Sequence, residues 1–564
     1  MKTQAQDINI RVKRKFRFDE RWYDKEDRSK WILPLILRER AERLGDKPYL
    51  QFEYDTPLSF ARVNLLANRV ANALRKLGVE KGDRVGVFML NCAQYVFIWY
   101  GILKAGAIMA PVNTAYKGDF LQYMIDHPDS KVLFVSGELL DRLVPIEEEI
   151  PQLKHIVVLA GEGKPSFENL GIRTKPLIPF GEFLESGTED EPQVEWKSID
   201  IARLMYTSGT TGRAKGCTKS HAADYYTGKG FINIMGITEE DILFTCLPLF
   251  HSNAQVVCTY PALLAGAKVV IHKRFSATGF WKWIKESDTT VFNLLGAMSY
   301  FLWKQPPTPE EKEHRVRVAC VAPSPHDILE EFMERFNLKI IEGYGLTETG
   351  NVAFMRPNKP FRVGSCGLES PGYEVKIVDP ETDEELPRGE LGEIVARPRI
   401  PNIMLYYYHK MPEKTVEDFR NFWFHTGDAG RMDEDGYIYF VDRVKDYIRR
   451  RGENISSFEL EKVVGGHPDI AESAAIGVKT EEGKYAEDEV MIVVVRKPGS
   501  RLTPEELMKW CEERMPYFMI PRFVRFRDSL PKTQTERVQK HKLREEGITP
   551  DTWDREKVGY QIKR

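Results

Sequence analysis

Short apolar runs alternate with amphipathic stretches through about the first 440 residues, and that alternation restricts the chain to an α/β architecture with mainly parallel, helix-covered sheets. VGVFML (85–90), KVLFVS (131–136), HIVVLA (155–160), KVVIHK (268–273) and TVFNLL (290–295) read as its strands. No repeat of fixed period interrupts them. With 564 residues, 42% of them hydrophobic, the chain can bury more than one core. After GYIYFVDR (436–443) the character changes: VKDYIRRRGENISSFELEKVV (444–464), the strand-like AAIGV (474–478) and EVMIVVVR (489–496), and the helix-like TPEELMKWCEERM (503–515) suit a smaller α+β unit. The expected division is 1–441, a hinge at 442–446 centred on Lys445, and 447–564, with a polar tail after Leu543 that is extended or partly disordered.

One stretch is long enough to question. Val85 to Leu103 carries no charge over 19 residues, close to a bilayer-spanning length. Asn91, Cys92, Ala93 and Gln94 break it, and AlaGlyAla after Lys104 leads into another apolar run, so a buried strand–helix–strand unit is expected. The amino-terminal stretch is polar and charged, without the apolar centre of a secretory signal. Seven scattered cysteines without a CxxC pair argue against a disulfide framework and against zinc, and a cytoplasmic setting is expected. Basic and acidic residues number 81 and 84, a net charge of −3, which gives no global field for nucleic acid or an anionic membrane. Stable membrane insertion is not expected, and a homo-oligomer is left open.

The most informative segment is YTSGTTGRAKG (206–216), between the strand-like IARLMY and a helix-like stretch from His221. Gly209, Gly212 and Gly216 let the backbone approach a ligand, so that successive N–H groups form an anion-binding concavity. Thr207, Ser208, Thr210 and Thr211 add hydroxyls, and Lys215 adds a mobile positive charge. Polyphosphate fits this composition. The GxxxxGK[ST] spacing of a P-loop is absent, so kinase chemistry of that type is not implied. A flexible Gly/Thr-rich surface loop is the alternative.

With this loop in place, the chain resembles the adenylate-forming superfamily of acyl-CoA synthetases, luciferases and peptide-synthetase adenylation domains. Five further stretches follow in that superfamily's order: LPLFHSNAQ (247–255), VAPSP (321–325), EGYGLTETG (342–350), WFHTGDAG with FVDRVKDYIRRRGEN (423–454), and LPKTQTERVQK (530–540). The resemblance implies a large multi-sheet adenylation domain with a smaller mobile carboxy-terminal domain. It implies ATP, Mg2+ and coenzyme A as cofactors or co-substrates, and a small-molecule carboxylic acid as the other partner.

Carried over by position, Tyr344 with Val321, Ala322 and Pro323 would pack on adenine, an aromatic face and small apolar groups against a flat base. Thr347 would contact the α-phosphate, and Glu348 would hold Mg2+ together with Thr207. Asp428 and Arg443 would bind the ribose hydroxyls. Gly345, Phe440, Lys445 and Gly452 complete the implied cofactor-binding set, and RRRGEN (449–454) would serve the coenzyme A channel. The implied catalytic set is Lys215, His251, Thr347, Glu348 and Arg537. Each has a plainer alternative: Asp428 a turn residue, Glu348 a solvated charge, Tyr344 a core aromatic, His251 a packed histidine.

The resemblance implies two steps. A substrate carboxylate attacks the α-phosphorus and expels pyrophosphate; the thiol of coenzyme A then takes the acyl group from the adenylate, the small domain rotating between steps about Lys445. Two positions depart from the pattern. Arg537 stands where the superfamily has its adenylation lysine, keeping the charge in a larger planar head, with Lys532 or Lys540 as substitutes. Ala214 stands where many relatives have proline.

His251, with Ala297 in NLLGAM (293–298), falls in the implied acyl pocket, where LFHSN offers no acid to pair with an α-ammonium, which disfavours amino acids. HSNAQ, MPEKTVE (411–417) and RGENISSFELE (451–461) are most similar to crotonobetaine/carnitine-CoA ligases and to bile-acid or fatty-acid CoA ligases. A nucleotide-binding paralogue with impaired catalysis, or an adenylating enzyme with a carrier-protein acceptor, are the alternatives.

Overall fold

The computed structural model describes residues 18–161, 171–207, 214–326, 328–443, 447–450, 453–480, 488–531, 538 and 540–562. Its chain divides into two compact units, one of Met1–Thr114, Ile125–Met205 and Gly216–Asp442, the other of Ala115–Met124, Tyr206–Lys215 and Arg443–Arg564.

The expected strands form the first unit's parallel sheets. In one sheet the order is Lys339–Ile341, Val318–Ala322, Val291–Leu295, Ile242–Thr245, Lys268–Ile271, Pro48–Phe52 and Leu58–Ser59, parallel until the antiparallel last pair. In another, Leu177–Pro179, His155–Leu159, Ser130–Ser136, Arg84–Phe88, Ile108–Pro111 and Ile201–Thr207 run parallel, with Lys215–Ser220 beside the last. Strands covered on both faces are apolar throughout, which is why these runs are legible in the sequence. The 19-residue uncharged stretch resolves into the strand Arg84–Phe88 and the helix Ala93–Lys104, followed by the strand Ile108–Pro111. Among the described residues, no helix is long and apolar enough to cross a membrane.

The helix Ala93–Lys104 lies against the helix Phe60–Lys76 so closely that a Cβ on Gly101 would come within 2.5 Å of Val70. Only glycine permits that approach. At the end of the same helix Lys104 is buried, its ammonium 2.6 Å from Asn68 Oδ1 and 2.7 Å from Glu191 Oε2.

A third sheet differs from the expectation of mainly parallel pairing. Gly343–Leu346, Gly350–Phe354, Gly367–Glu369, Tyr437–Arg443, Phe424–Met432, Gly392–Pro398 and Tyr373–Val378 are neighbours in that order, with antiparallel pairing. Its strand Tyr373–Val378 alternates buried and half-exposed positions over most of its length, a weaker signal than a continuous apolar run.

In the second unit, a hairpin of Tyr447–Arg450 and Glu453–Ser456 accompanies a sheet of Ile470–Val478, Glu489–Arg496, Phe523–Arg527 and Trp553–Asp554. The helix Pro504–Arg514 starts with a reciprocal cap between Thr503 and Glu506. The tail after Leu543 is not an extended appendage. Trp553–Asp554 pairs with Phe523–Arg527, Asp554 accepts from Arg522 Nε at 3.1 Å, and Arg555 is buried with its guanidinium on the Pro521 carbonyl. A few aromatic and charged anchors in an otherwise polar segment hold it, which composition alone does not reveal.

Candidate functional site

The motif EGYGLTETG forms the strand Gly343–Leu346, a turn over residues 347–349, and the strand Gly350–Phe354. This turn is held from several sides. Leu346 N–H donates to Thr349 Oγ1 at 3.1 Å, Tyr373 Oη donates to the Thr349 carbonyl, and Leu405 N–H donates to the Glu348 carbonyl at 2.8 Å. Lys219 Nζ donates to that same carbonyl at 3.2 Å, and Tyr408 Oη donates to Glu348 Oε1 at 3.0 Å. The Glu348 side chain is therefore a fixed, buried carboxylate, 6% exposed, rather than a solvated charge. Burial and the Glu348 charge push the Tyr408 phenol far above its ordinary value, so it serves as a permanent donor.

Beside the turn is a cavity of about 230 Å3 lined by Ala322, Gly345, Leu346, Thr347, Asn351 and Cys320 on one part of its wall. Thr227, Phe231, Ser252, Asn253, Val256 and Val257 form another part, and the charged Arg203, Lys219 and Asp224 a third. The helix His221–Met235 supplies Asp224, Thr227 and Phe231; its first turn is capped by Ser220 Oγ accepting from Ala223 N–H at 3.1 Å. Asn253–Thr259 is a π-helix, a winding that shifts side chains relative to an α-helix and recurs at functional sites.

Arg203 donates from Nε to Asp224 Oδ2 at 2.6 Å and from a terminal nitrogen to Oδ1, a fork on a carboxylate, and its other nitrogen reaches Gln255 Oε1. All three are fully or nearly fully buried. Burial lowers Lys219 from the ordinary lysine value to about 8, partly offset by the Asp224 carboxylate.

Tyr344 Oη donates to Asp428 Oδ2 at 2.7 Å, and the Tyr344 ring centroid lies 6.0 Å from that of Phe440, tilted by 30°. Burial first, then the Asp428 charge, hold the Tyr344 phenol protonated. Asp428, 1% exposed, takes Thr426 Oγ1 on its own N–H at 3.1 Å. Tyr344, Asp428 and Phe440, separated in sequence, thus stand together. Ala322 and Pro323 are joined by a cis peptide, and Pro323 is exposed. Val321 has no exposed side-chain surface and belongs to the core cluster with Phe332 and Leu294.

His251 is half-buried, with its ring 4.5 Å from Phe250, and its neighbours Ser252 and Asn253 rather than the histidine itself line the cavity. Thr207 ends one strand and Lys215 opens the next, both within the second unit's segment Tyr206–Lys215. In that unit Tyr123 Oη donates to the Ala214 carbonyl at 2.9 Å. Ser208, Gly209, Thr210, Thr211, Gly212, Lys445, Gly452, Lys532 and Arg537 lie outside the described residues, and for Arg443 and Ala297 only the backbone is described.

Two expectations about basic residues change within the second unit. Arg450, in the middle of the basic run, is buried and donates to the carbonyls of Phe518 at 3.0 Å and Ile520 at 3.1 Å, so it braces the fold instead of facing a ligand. Lys540 is engaged by Ser457 Oγ and Glu461 Oε1, both at 2.7 Å, which leaves it poorly suited to take the part expected of the adenylation lysine, whose position Arg537 occupies.

Lys219, Tyr408 and the Arg203–Asp224–Gln255 group were not legible as site residues. Their partners are far along the chain, 129 residues for Lys219 and 60 for Tyr408 with Glu348. A lysine inside an otherwise buried strand was the one available signal.

Mg2+ takes oxygen ligands and is held in nucleotide enzymes by one or two carboxylates together with substrate phosphates. A single oriented carboxylate at Glu348 beside the Thr347 hydroxyl fits that requirement. Among the described residues, no cluster of three or more His, Cys, Asp or Glu forms an all-protein cage.

Comparison with known proteins places this geometry in context. The AMP-binding enzyme pattern matches residues 37–408 and the AMP-binding enzyme C-terminal domain pattern residues 459–537. A crotonobetaine/carnitine–CoA ligase of Salmonella heidelberg is 31% identical over 517 residues, covering 89% of this chain and 96% of the relative. Among solved structures, the anthranilate CoA ligase AuaEII in complex with anthranoyl-AMP superposes with a TM-score of 0.69 at 28% identity, covering 91% of this chain and 97% of the other. ATP-bound MatB from Rhodopseudomonas palustris gives 0.66 at 26% identity, covering 91% and 98%.

Proposed function

The chain belongs to the AMP-binding enzyme family, and from that premise we infer that it is an acid–thiol ligase, which adenylates a carboxylic acid with ATP and passes the acyl group to coenzyme A. The observation that carries this reading is the Thr347–Glu348 turn, clamped at the edge of a cavity by Tyr408, Tyr373 and Lys219. A carboxylate fixed in this way is preorganised and needs no rearrangement when charge develops beside it.

In the proposed assignment, Glu348 holds Mg2+ with Thr207, and Thr347 donates its hydroxyl to the α-phosphate. When bound, Mg2+ supplies charge neutralisation on the phosphate oxygens. Tyr344 and Phe440 offer ring faces to adenine with Ala322, Pro323 and Gly345, while Val321 supports that wall from inside the core. Asp428, held by Tyr344, accepts from a ribose hydroxyl, with Arg443 as the second ribose ligand. The loop from Thr207 to Lys215, with Ser208, Gly209, Thr210, Thr211 and Gly212, cradles the leaving pyrophosphate. Arg537 supplies the positive charge of the adenylation step, and Lys445 with Gly452 serves the domain movement and the coenzyme A step.

The acyl group lies against Phe231, Val256 and Val257, with Ser252 and Asn253, which follow His251 in the chain, on the adjoining wall. The 31% identity to a crotonobetaine/carnitine–CoA ligase directs the substrate search toward small polar acids.

The test is a panel of carboxylic acids incubated with Mg-ATP, with and without coenzyme A, followed by pyrophosphate release and mass spectrometry. Acyl-AMP without coenzyme A and acyl-CoA with it are expected for at least one acid. A parent protein that forms neither, while an Arg537→Lys variant does, would establish an impaired paralogue instead; acyl-AMP that persists in the presence of coenzyme A would establish a carrier-protein acceptor.

A further inference from the structure

Three buried charges line the cavity, and they do not cancel. Arg203 and Asp224 neutralise one another through their forked hydrogen bonds, and Gln255 takes what remains of the guanidinium. Lys219 is left over. It is 3% exposed, it lines the same cavity, and its hydrogen bond goes to a neutral acceptor, the Glu348 backbone carbonyl at 3.2 Å. An ammonium has three donors, and a buried cation with unmatched charge costs several kcal/mol unless an anion joins it. The Asp224 carboxylate, and less so that of Glu348, offset part of that cost, but Asp224 is held in the fork of Arg203, Glu348 Oε1 is committed to Tyr408, and the ligase reading commits Glu348 to a divalent cation.

We propose that Lys219 is the residue that receives the carboxylate of the acid substrate, holding one of its oxygens beside Thr347 before adenylation. The proposal rests on the ligase reading and adds to it a role for a position outside the recognised motifs. Position favours it: the ammonium is anchored on the residue next to Thr347, and both side chains line one cavity whose remaining wall includes Phe231, Val256 and Val257. An acid entering with its carboxylate toward Lys219 puts its carbon chain on that apolar wall. The cation also relieves the repulsion between two anions, carboxylate and α-phosphate, that must meet for the reaction to proceed. The carboxylate keeps its own electron pair for attack at phosphorus; Lys219 donates hydrogen bonds and transfers no proton.

The experiment uses the full chain with whichever acid gives the highest turnover in the panel, and measures KM for the acid and for Mg-ATP separately in the parent, Lys219→Met and Lys219→Gln. Loss of a charged hydrogen bond to the substrate is expected to raise the KM for the acid by roughly ten- to hundredfold. KM for Mg-ATP should rise by less than the KM for the acid, because Leu405 N–H still holds the Glu348 carbonyl that Lys219 releases. Lys219→Gln, which keeps one N–H donor and a similar shape, should fall between parent and Lys219→Met and provides the readout if methionine disrupts folding. An unchanged KM for the acid, or an equal rise in both KM values, overturns the proposal while leaving the ligase intact. Absence of acyl-AMP from the parent with every acid overturns the ligase reading itself, and the role of Lys219 with it.

Discussion

The Tyr408 phenol donates a 3.0 Å hydrogen bond to the Glu348 carboxylate from 60 residues further along the chain. Neither group is surface-exposed: Tyr408 lies in the core behind the antiparallel sheet, and Glu348 sits at the turn between two of that sheet's strands. The site is thus braced from behind by the fold rather than by neighbouring residues of its own motif.

Removing that brace should separate orientation from charge. Tyr408→Phe deletes one donor to a buried carboxylate, at a cost of about 1–3 kcal/mol. The expected outcome is a KM for Mg-ATP raised roughly tenfold and a melting temperature lowered by a few degrees. Steady-state kinetics and calorimetry check both. Glu348→Gln should be far more damaging to turnover, while an undiminished affinity for Mg-ATP in Tyr408→Phe would show that the phenol does not orient the carboxylate.

The Arg203–Asp224 pair should reveal itself by coupling. Each group is buried, so Arg203→Met or Asp224→Asn alone strands the other charge at a cost of about 3–5 kcal/mol. The double variant is expected to lose markedly less than the sum of the singles, as measured by thermal or denaturant unfolding. Strict additivity would mean that the pair is not a stabilising unit.

Acid sensitivity is predicted at His221. Burial lowers its pKa from 6.5 to about 4, partly offset by Asp224 and Asp200, so it stays neutral in the folded protein where the unfolded chain already takes up a proton. The contribution is fully present above pH 6.5 and is lost as pH falls through about 4. Its full size is about 3 kcal/mol. Against His221→Leu, which has no proton to bind, the parent should lose stability faster between pH 6.5 and 4. Parallel pH profiles for the two proteins would count against the assignment.

Arg537 gives a prediction from residue chemistry. On the proposed assignment, Arg537→Ala removes a positive charge from the adenylation step and should slow acyl-AMP formation roughly a hundredfold to a thousandfold. Arg537→Lys, which keeps the positive charge in a smaller head group, should retain or raise the parent rate. Single-turnover adenylation measures it, and an Arg537→Ala variant as fast as the parent would remove this residue from the catalytic set.

Gly101→Ala tests the helix contact. An added Cβ would meet Val70 at 2.5 Å and the Ala67 carbonyl at 2.8 Å. Overpacking of this kind costs about 1–3 kcal/mol. A melting temperature lowered by several degrees, with KM values unchanged, is the expected result.

The sequence by itself determined the α/β class, the position of the parallel strands and the identity of the family, because continuous apolar runs and glycine-rich turns act locally and leave their mark on consecutive residues. It also indicated Thr347, Glu348, Tyr344 and Asp428 as a group, through motifs that occur in a fixed order. Tertiary structure decided how those motifs are supported. Tyr408 and Lys219 reach Glu348, and Tyr344 reaches Asp428, over separations of 60, 129 and 84 residues, and nothing in local periodicity records a contact of that range. The same applies to the carboxy-terminal tail, whose polar composition suggested an extended chain until Trp553 and Arg555 were found docked on their own unit. Arg450 and Val321 make the complementary point: a basic run and a motif position both suggested ligand contact, and burial in the fold turned each inward.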